Sequence, residues 1–364
     1  MKISDLDTPV LLVDADALAR NVARMKEMTE AAGIHYRPHS KTHKSAAIAR
    51  MQIDAGAVGV CCAKLGEAEV MAANGIGNIL ITTAVVGESK IGRLLHACNQ
   101  APIAVVADNA ANVDMLGRMA QAAGRKLDVL VEADVGQGRC GVQTPAEAVA
   151  LAQPIDGHPW LAFGGVQGYQ GKIQMIGDIA QREAETAAGL DRLVAVVDAI
   201  EKAGIGVPVK TGGGTGTSPF DLARGLLTEI QPGSYVFMDS RYGGIGWPGT
   251  NAPPFEQALF ILTTVVSKPL PGRAVVDAGL KSASSDHGPP VVHDANGGVF
   301  DFGGDEHGII TMAGGGDVPL EVGDRLRLVP SHCDTTVNLY DQYVVVQGDA
   351  VVDVWPVDAR GRVQ

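Results

Sequence analysis

Three residues at alternate positions, His39, Lys41 and His43, could do chemistry together. They lie in RPHSKTHKS, directly after the short strand-like stretch IHYRP. An extended chain puts alternate side chains on one face, so a strand continuing through this segment would present all three together. A lysine crowded by other cations holds its proton less tightly and becomes an amine nucleophile able to form an imine with a carbonyl. A basic, solvated loop is the alternative reading of the same residues.

Three further segments carry candidate chemistry. KTGGGTGTSPFDLAR places a glycine-rich turn before a helix start, where backbone amides with Thr215, Thr217 and Ser218 could cradle a phosphate. The turn has neither the GxxxxGK[ST] pattern of a P-loop nor the strand-one position of a dinucleotide fingerprint, so one phosphate is the reading, against a plain positive-φ turn. VLVEADVGQGRCGV runs a buried strand into Arg139, whose planar fork suits a phenolate or carboxylate but could equally pair with Glu132 or Asp134. In VPSHCDTTVN, His332 and Asp334 are two apart. On a strand both would point one way and Cys333 the other, and imidazole plus carboxylate suits Mn²⁺, Mg²⁺ or Zn²⁺ with open positions left over. GDEHG, with Asp305, Glu306 and His307, is a possible accessory or a polar turn.

Positioning these residues requires a regular scaffold. Short apolar runs at 34–37, 57–61, 78–82, 103–107, 127–132, 161–166, 207–211 and 229–235 alternate with segments of helical spacing. Two of those segments, ALARNVARMKEMTEAAG and KLGEAEVMAANG, end in a glycine suited to a helix C-terminus. The alternation predicts an α/β fold, a (β/α)8 barrel over 16–245, with an open doubly wound sheet as the alternative. In a barrel the lysine would stand at the C-terminal mouth, and the phosphate turn and QPGSYVFMD would follow strands seven and eight. Strand-like segments between Pro, Gly and Asp clusters predict a β-rich domain over 246–364, which residues 1–15 could join.

A formal charge of −12 and an aromatic content of 4% argue against nucleic acid and anionic membranes as partners. The only short apolar run at the N-terminus contains acidic residues, unlike a signal peptide or anchor, and no run approaches the roughly 18 residues of a spanning helix. Five cysteines without CxxC spacing read as reduced thiols, and the expected location is the cytoplasm.

Taken together, LDTPVLLVDADAL, RPHSKTHKS, GVCCAKLGEAEV, VEADVGQGRCGV, GGGTGT, GSYVFMD, VDAGLKS, DEHG, LVPSHCDTT and VWPVDARG resemble the fold-type III pyridoxal 5′-phosphate (PLP) enzymes, the alanine racemase-like barrels. Within that group the match is to the metal-dependent D-threonine aldolase and D-serine dehydratase branch. The resemblance implies that Lys41 holds PLP as an imine, with Lys44 a bystander, that Arg139 lies beside the ring, and that Tyr169, a catalytic residue with Lys41, approaches the ring or the substrate. It implies that Gly213, Thr215 and Gly216 with Ser234 and Tyr235 take the phosphate, and that His332 and Asp334 hold the metal. The dehydratases carry a cysteine at the Asp334 position, which favours the aldolase side. One departure stands out: these aldolases often have a histidine shortly after the YxG segment, where this chain has Met175. Metal-bound hydroxide or another histidine such as His307 would then accept the substrate hydroxyl proton.

The implied activity is retro-aldol cleavage of D-3-hydroxy amino acids, D-threonine-like, to glycine and an aldehyde. The runner-up is dehydration of a D-3-hydroxy amino acid to ammonia and a 2-oxo acid, and D-3-hydroxyaspartate is a further aldolase substrate. A non-catalytic PLP carrier would need no second domain, and a barrel binding another phosphorylated ligand would form no imine. A homodimer with shared sites is implied by the resemblance alone.

Overall fold

The computed structural model describes residues 1–249 and 252–364. Asn251, which opens the β-rich stretch in the sequence reading, lies outside the described residues. The chain forms two compact units. One comprises Met1–Arg24, Thr42–Ser45 and Ser234–Gly361, and the other Met25–Lys41, Ala46–Gly233 and Arg362–Gln364.

After β1 (Val10–Asp14) and α1 (Ala15–Ala32), the second unit alternates strand and helix. Its elements are β2 (His35–Tyr36), α2 (Ala46–Asp54), β3 (Val60–Cys62), α3 (Leu65–Ala73), β4 (Ile79–Ile81), α4 (Glu88–Ala97), β5 (Ile103–Ala107) and α5 (Ala110–Ala122). They continue through β6 (Leu127–Glu132), α6 (Pro145–Asp156), β7 (Leu161–Gly168), α7 (Ile179–Lys202), β8 (Val209–Gly212), α8 (Ser218–Arg224) and β9 (Glu229–Ile230). All eight strands are parallel, in the order β2-β9-β8-β7-β6-β5-β4-β3. A parallel bridge between His39 and Cys61 joins the two ends and closes the barrel. Strands covered on both sides read as mainly apolar runs, unbroken in IAVVA and interrupted in LDVLVE only by the exposed Asp128 before the terminal Glu132. Cys61, Leu80, Val106 and Leu130 form one apolar cluster on these strands. Gly33 and Gly75, with φ of 66° and 76°, follow α1 and α3 in the left-handed conformation that ends a helix cheaply.

The eighth apolar run was expected to be strand through Tyr235. The strand ends at Ile230, with one further bond from the Gln231 N–H to the Gly212 carbonyl at 2.9 Å; Pro232 has no N–H to extend the ladder, and residues Ser234–Val236 wind into a 3-10 turn. Nor does the extended conformation run from β2 through His43. It ends at His39, and Ser40–His43 turn.

Arg37 secures the β2–β9 junction. Its Nε and Nη2 donate to Glu229 Oε1 and Oε2 at 2.8 and 3.0 Å, and Nη1 donates to the Asn78 carbonyl at 2.5 Å. Both side chains are nearly out of solvent, at 10% and 6% exposure. Removing one partner strands the other charge, so Arg37→Ala is expected to destabilise the protein by about 3–5 kcal/mol. A urea melt checks this; an unchanged midpoint would contradict it.

The other unit gathers β1 with β10 (Leu259–Leu270), β11 (Arg273–Val276), β12 (Val291–Val292), β13 (Gly298–Phe302), β14 (Gly308–Met312), β15 (Arg325–Val329), β16 (Gln342–Gln347) and β17 (Ala350–Pro356). β1 runs antiparallel to β10 and parallel to β16, so the N-terminal strand sits inside this sheet. Leu6, Leu12, Phe260, Leu262, Val344 and Val346 pack its core. Two short helices, α9 (Ser240–Gly244) and α10 (Cys333–Val337), complete it. No helix among the described residues is long and apolar enough to cross a membrane.

Candidate active site

The C-terminal ends of the barrel strands carry a buried polar layer above the apolar cluster. Gln231 Nε2 donates to Gln167 Oε1 and Thr211 Oγ1 at 3.1 and 2.9 Å, and Gln167 Nε2 reaches the Thr82 carbonyl at 3.3 Å. His39 Nε2 pairs with Thr82 Oγ1 at 3.0 Å, and its Nδ1 accepts the Lys41 N–H at 3.4 Å. Ser40 Oγ donates to the Cys61 carbonyl at 2.9 Å. Lys41, half-buried, is therefore held at the barrel's mouth by a pinned backbone. His43 is in the other unit: fully buried, it accepts the Tyr343 hydroxyl at its carbonyl, 2.5 Å away. Strand parity does not group it with Lys41 because the chain turns after His39. Lys44, with φ of 50°, accepts the Ala359 N–H at its carbonyl.

Arg139 and Tyr169 come together, the guanidinium carbon 5.8 Å from the ring centroid. Arg139 also lies 4.0 Å from Glu132 at the end of β6. Burial raises the Glu132 carboxyl to about 7 against the opposing pull of Arg139.

The glycine turn after β8 is braced from within by Gln174, a residue that no local motif marks. Gln174 Oε1 accepts the N–H groups of Gly216 and Thr217 at 3.0 and 3.2 Å, and its Nε2 donates to Thr217 Oγ1 at 3.0 Å. Thr217 Oγ1 in turn donates to Asp221 Oδ2 at 2.6 Å. Asp221 is fully buried and its carboxyl is pushed up to about 7 by desolvation. A Cβ on Gly213 would strike Asp221, and one on Gly216 would strike the Gln174 carbonyl. Thr215 is buried within the turn. Met175, the departure from the aldolase pattern, directly follows this brace in sequence. Ser234 and Tyr235 belong to the other unit, where Tyr235 is fully buried against Phe255, ring centroids 5.5 Å apart.

His332 and Asp334 do not lie on a strand. β15 stops before Pro330, and His332 is the N-cap of α10. The turn nonetheless brings the pair together, with His332 Nε2 3.6 Å from Asp334 Oδ2. The hydroxyl of Thr42, the residue after Lys41, donates to the same carboxylate oxygen at 3.2 Å. Cys333 is buried, and its N–H donates to Asp239 Oδ2 at 3.2 Å; Asp239 also caps α9. Two neighbours were missed in the sequence. Asp286 Oδ2 sits 2.6 Å from His332 Nδ1, and the His287 ring stacks on His332 with centroids 4.4 Å apart. Burial would raise the Asp286 carboxyl, but hydrogen bonds from His332, Ser284 and Thr335 outweigh it and hold it down at about 2. Nothing local in SSDHGPP marks these residues, which lie 46 positions or so before their partner. His307 is exposed on a turn, where Glu306 pairs with Lys281 at 2.6 Å.

The comparisons with known proteins agree with this geometry. Residues 13–241 match the model for the alanine racemase N-terminal domain, and residues 258–346 that for a putative serine dehydratase domain. The chain is 42% identical to a D-threonine aldolase of Arthrobacter sp., over 99% of this chain and 94% of that one. It is 41% identical to a 3-hydroxy-D-aspartate aldolase of Paracoccus denitrificans (strain Pd 1222), over 100% of this chain and 94% of that one. The crystal structure of D-threonine aldolase from Filomicrobium marinum superposes with a TM-score of 0.96 at 38% identity, covering 100% of this chain and 98% of that one. Barrel, sheet-bound N-terminal strand and full-length similarity all lead to one family: the chain belongs to the alanine racemase-like enzymes of the D-threonine aldolase and D-serine dehydratase family.

Proposed function

We propose that this protein cleaves D-3-hydroxy amino acids, D-threonine in the first instance, to glycine and an aldehyde, using PLP and a divalent metal. The observation that carries this reading is the convergence of His332 Nε2 and Asp334 Oδ2 at 3.6 Å, in a chain 42% identical to a D-threonine aldolase. A nitrogen and a carboxylate oxygen leave most of an ion's coordination positions open to substrate, and the donor set fits Mn²⁺ or Mg²⁺ as well as Zn²⁺. A cationic amine at the barrel mouth, an arginine against a tyrosine ring, and a turn with no room for a Cβ fit PLP.

When bound, PLP supplies an electron sink for negative charge at the substrate Cα, and the metal a Lewis acid for its β-hydroxyl. The chain supplies the holding and orienting groups. Lys41 Nζ is the amine that carries the cofactor, with Arg139 and Tyr169 fixing the ring. Gly213, Thr215 and Gly216, with Ser234 and Tyr235, hold the phosphate. His332 and Asp334 bind the ion so that the β-hydroxyl is the group activated. Asp334, in place of the dehydratase cysteine, favours carbon–carbon cleavage over loss of water. The family resemblance extends the proposal to a cytoplasmic homodimer with shared sites and to Mn²⁺ as the first ion to test. The similarity to a 3-hydroxy-D-aspartate aldolase supports D-3-hydroxyaspartate, yielding glyoxylate, as a second substrate.

Purified protein with PLP is to be assayed for aldehyde release from D-threonine, L-threonine and D-3-hydroxyaspartate, before and after EDTA and with Mn²⁺ restored. Release from the D-substrates, lost with EDTA and regained with Mn²⁺, is the expected outcome; turnover indifferent to EDTA would contradict the metal assignment. Gly216→Ala pushes against the Gln174 backbone and costs about 1–3 kcal/mol locally. It is expected to weaken PLP affinity by about tenfold or more on that scale, read by titrating the cofactor-free protein.

A further inference from the structure

His332 can serve a metal only if its ring is held with the lone pair of Nε2 facing the ion. Neutral imidazole has one protonated and one bare nitrogen, and the partner at one end fixes the role of the other. At Nδ1 that partner is Asp286 Oδ2, 2.6 Å away. An ionised carboxylate only accepts hydrogen bonds, so Nδ1 must carry the hydrogen and Nε2 the lone pair. Nε2 is the nitrogen that faces Asp334.

Asp286 is itself anchored for this task. Its Oδ1 accepts the hydroxyls of Ser284 and Thr335 at 2.7 and 3.0 Å. Thr335 belongs to α10, the helix that His332 caps, so the carboxylate is tied to both ends of the contact. The His287 ring, 7° from parallel to His332, limits how far the imidazole can tilt.

We propose that Asp286 is the positioning residue of the metal centre: it sets the tautomer and orientation of His332 so that Nε2, with Asp334, is ready for a divalent cation. The proposal rests on the reading of His332 and Asp334 as the metal pair. Carboxylate partners of ligating histidines generally contribute about 10- to 100-fold in metal affinity. The same cluster offers a competing arrangement, since Asp286, His287 and His332 each have a ligand atom within 4.8 Å of the others. In that arrangement Asp286 would bind an ion directly.

The test is Mn²⁺ titration of metal-stripped, PLP-loaded protein, with free Mn²⁺ followed by electron paramagnetic resonance. Asp286→Ala is expected to weaken binding by about 10- to 100-fold without changing the number of ions bound. Asp286→Asn, whose amide oxygen still accepts from Nδ1, should recover much of that affinity, and the cofactor absorbance should be unchanged in both. The Mn²⁺ concentration for half-maximal aldehyde release should rise in parallel, while KM for D-threonine at saturating Mn²⁺ stays near its original value. Ser284→Ala, which loosens Asp286 without removing it, should give a smaller weakening and serves if the alanine variant fails to fold. Unchanged Mn²⁺ affinity in folded Asp286→Ala would overturn the proposal, as would loss of a distinct bound ion. If the unaltered protein bound no Mn²⁺, the underlying metal reading would fall instead, so the two failures are distinguishable.

Discussion

Lys41→Ala is expected to abolish aldehyde release and the visible absorbance of lysine-bound cofactor together. Loss of one member of a catalytic unit commonly costs three or more orders of magnitude, so the rate should fall about a thousandfold or more. The fold should survive, because the backbone around the lysine is held by other residues. Ser40 is bonded to the Cys61 carbonyl, and His39 both bridges to Cys61 and pairs with Thr82. Lys44→Asn is the control, since asparagine tolerates the left-handed backbone at that position. It should keep both activity and absorbance. A Lys41→Ala protein that still shows the absorbance band would move the imine elsewhere.

The second large effect is at the metal pair. His332→Ala removes one of two protein ligands and Asp334→Asn replaces the other by a weaker one, and each is expected to lose several kcal/mol of transition-state stabilisation. At about 1.4 kcal/mol per tenfold, that is on the order of a thousandfold in aldehyde release. Cofactor absorbance should be retained, since neither residue is assigned to PLP. Excess Mn²⁺ should restore Asp334→Asn more than His332→Ala, because an amide oxygen still offers a weak hard ligand. Equal activity of either variant and the unaltered protein, with and without EDTA, would remove the metal from the account.

Much of the barrel was legible because its strands are covered on both faces. IAVVA is an uninterrupted apolar run and LDVLVE a mainly apolar one, and they become β5 and β6 residue for residue. The two-residue strands β2 and β9 are harder, since each is too short to show a period; the proline two positions past each end, Pro38 and Pro232, is the better marker. Alternation along a strand also misplaced His43, for a reason visible only in three dimensions: the closing bridge to Cys61 turns the chain after His39. His332 and Asp334 were singled out for a shared strand face, yet they converge through a helix cap. Asp286 and Gln174 had no local pattern at all. Each acts by a side-chain bond to a residue more than 40 positions away, 46 for Asp286–His332 and 42 for Gln174–Gly216, and no periodicity encodes such a pair.

The barrel and its polar layer are compatible with both cleavage and dehydration, so the deciding measurement is of products. Glycine and ammonia should be quantified in the same reaction of D-threonine with PLP- and Mn²⁺-loaded protein. Glycine should accumulate in step with acetaldehyde, with no ammonia above background. Ammonia and 2-oxobutanoate without glycine would contradict it and assign the chain to the dehydratases.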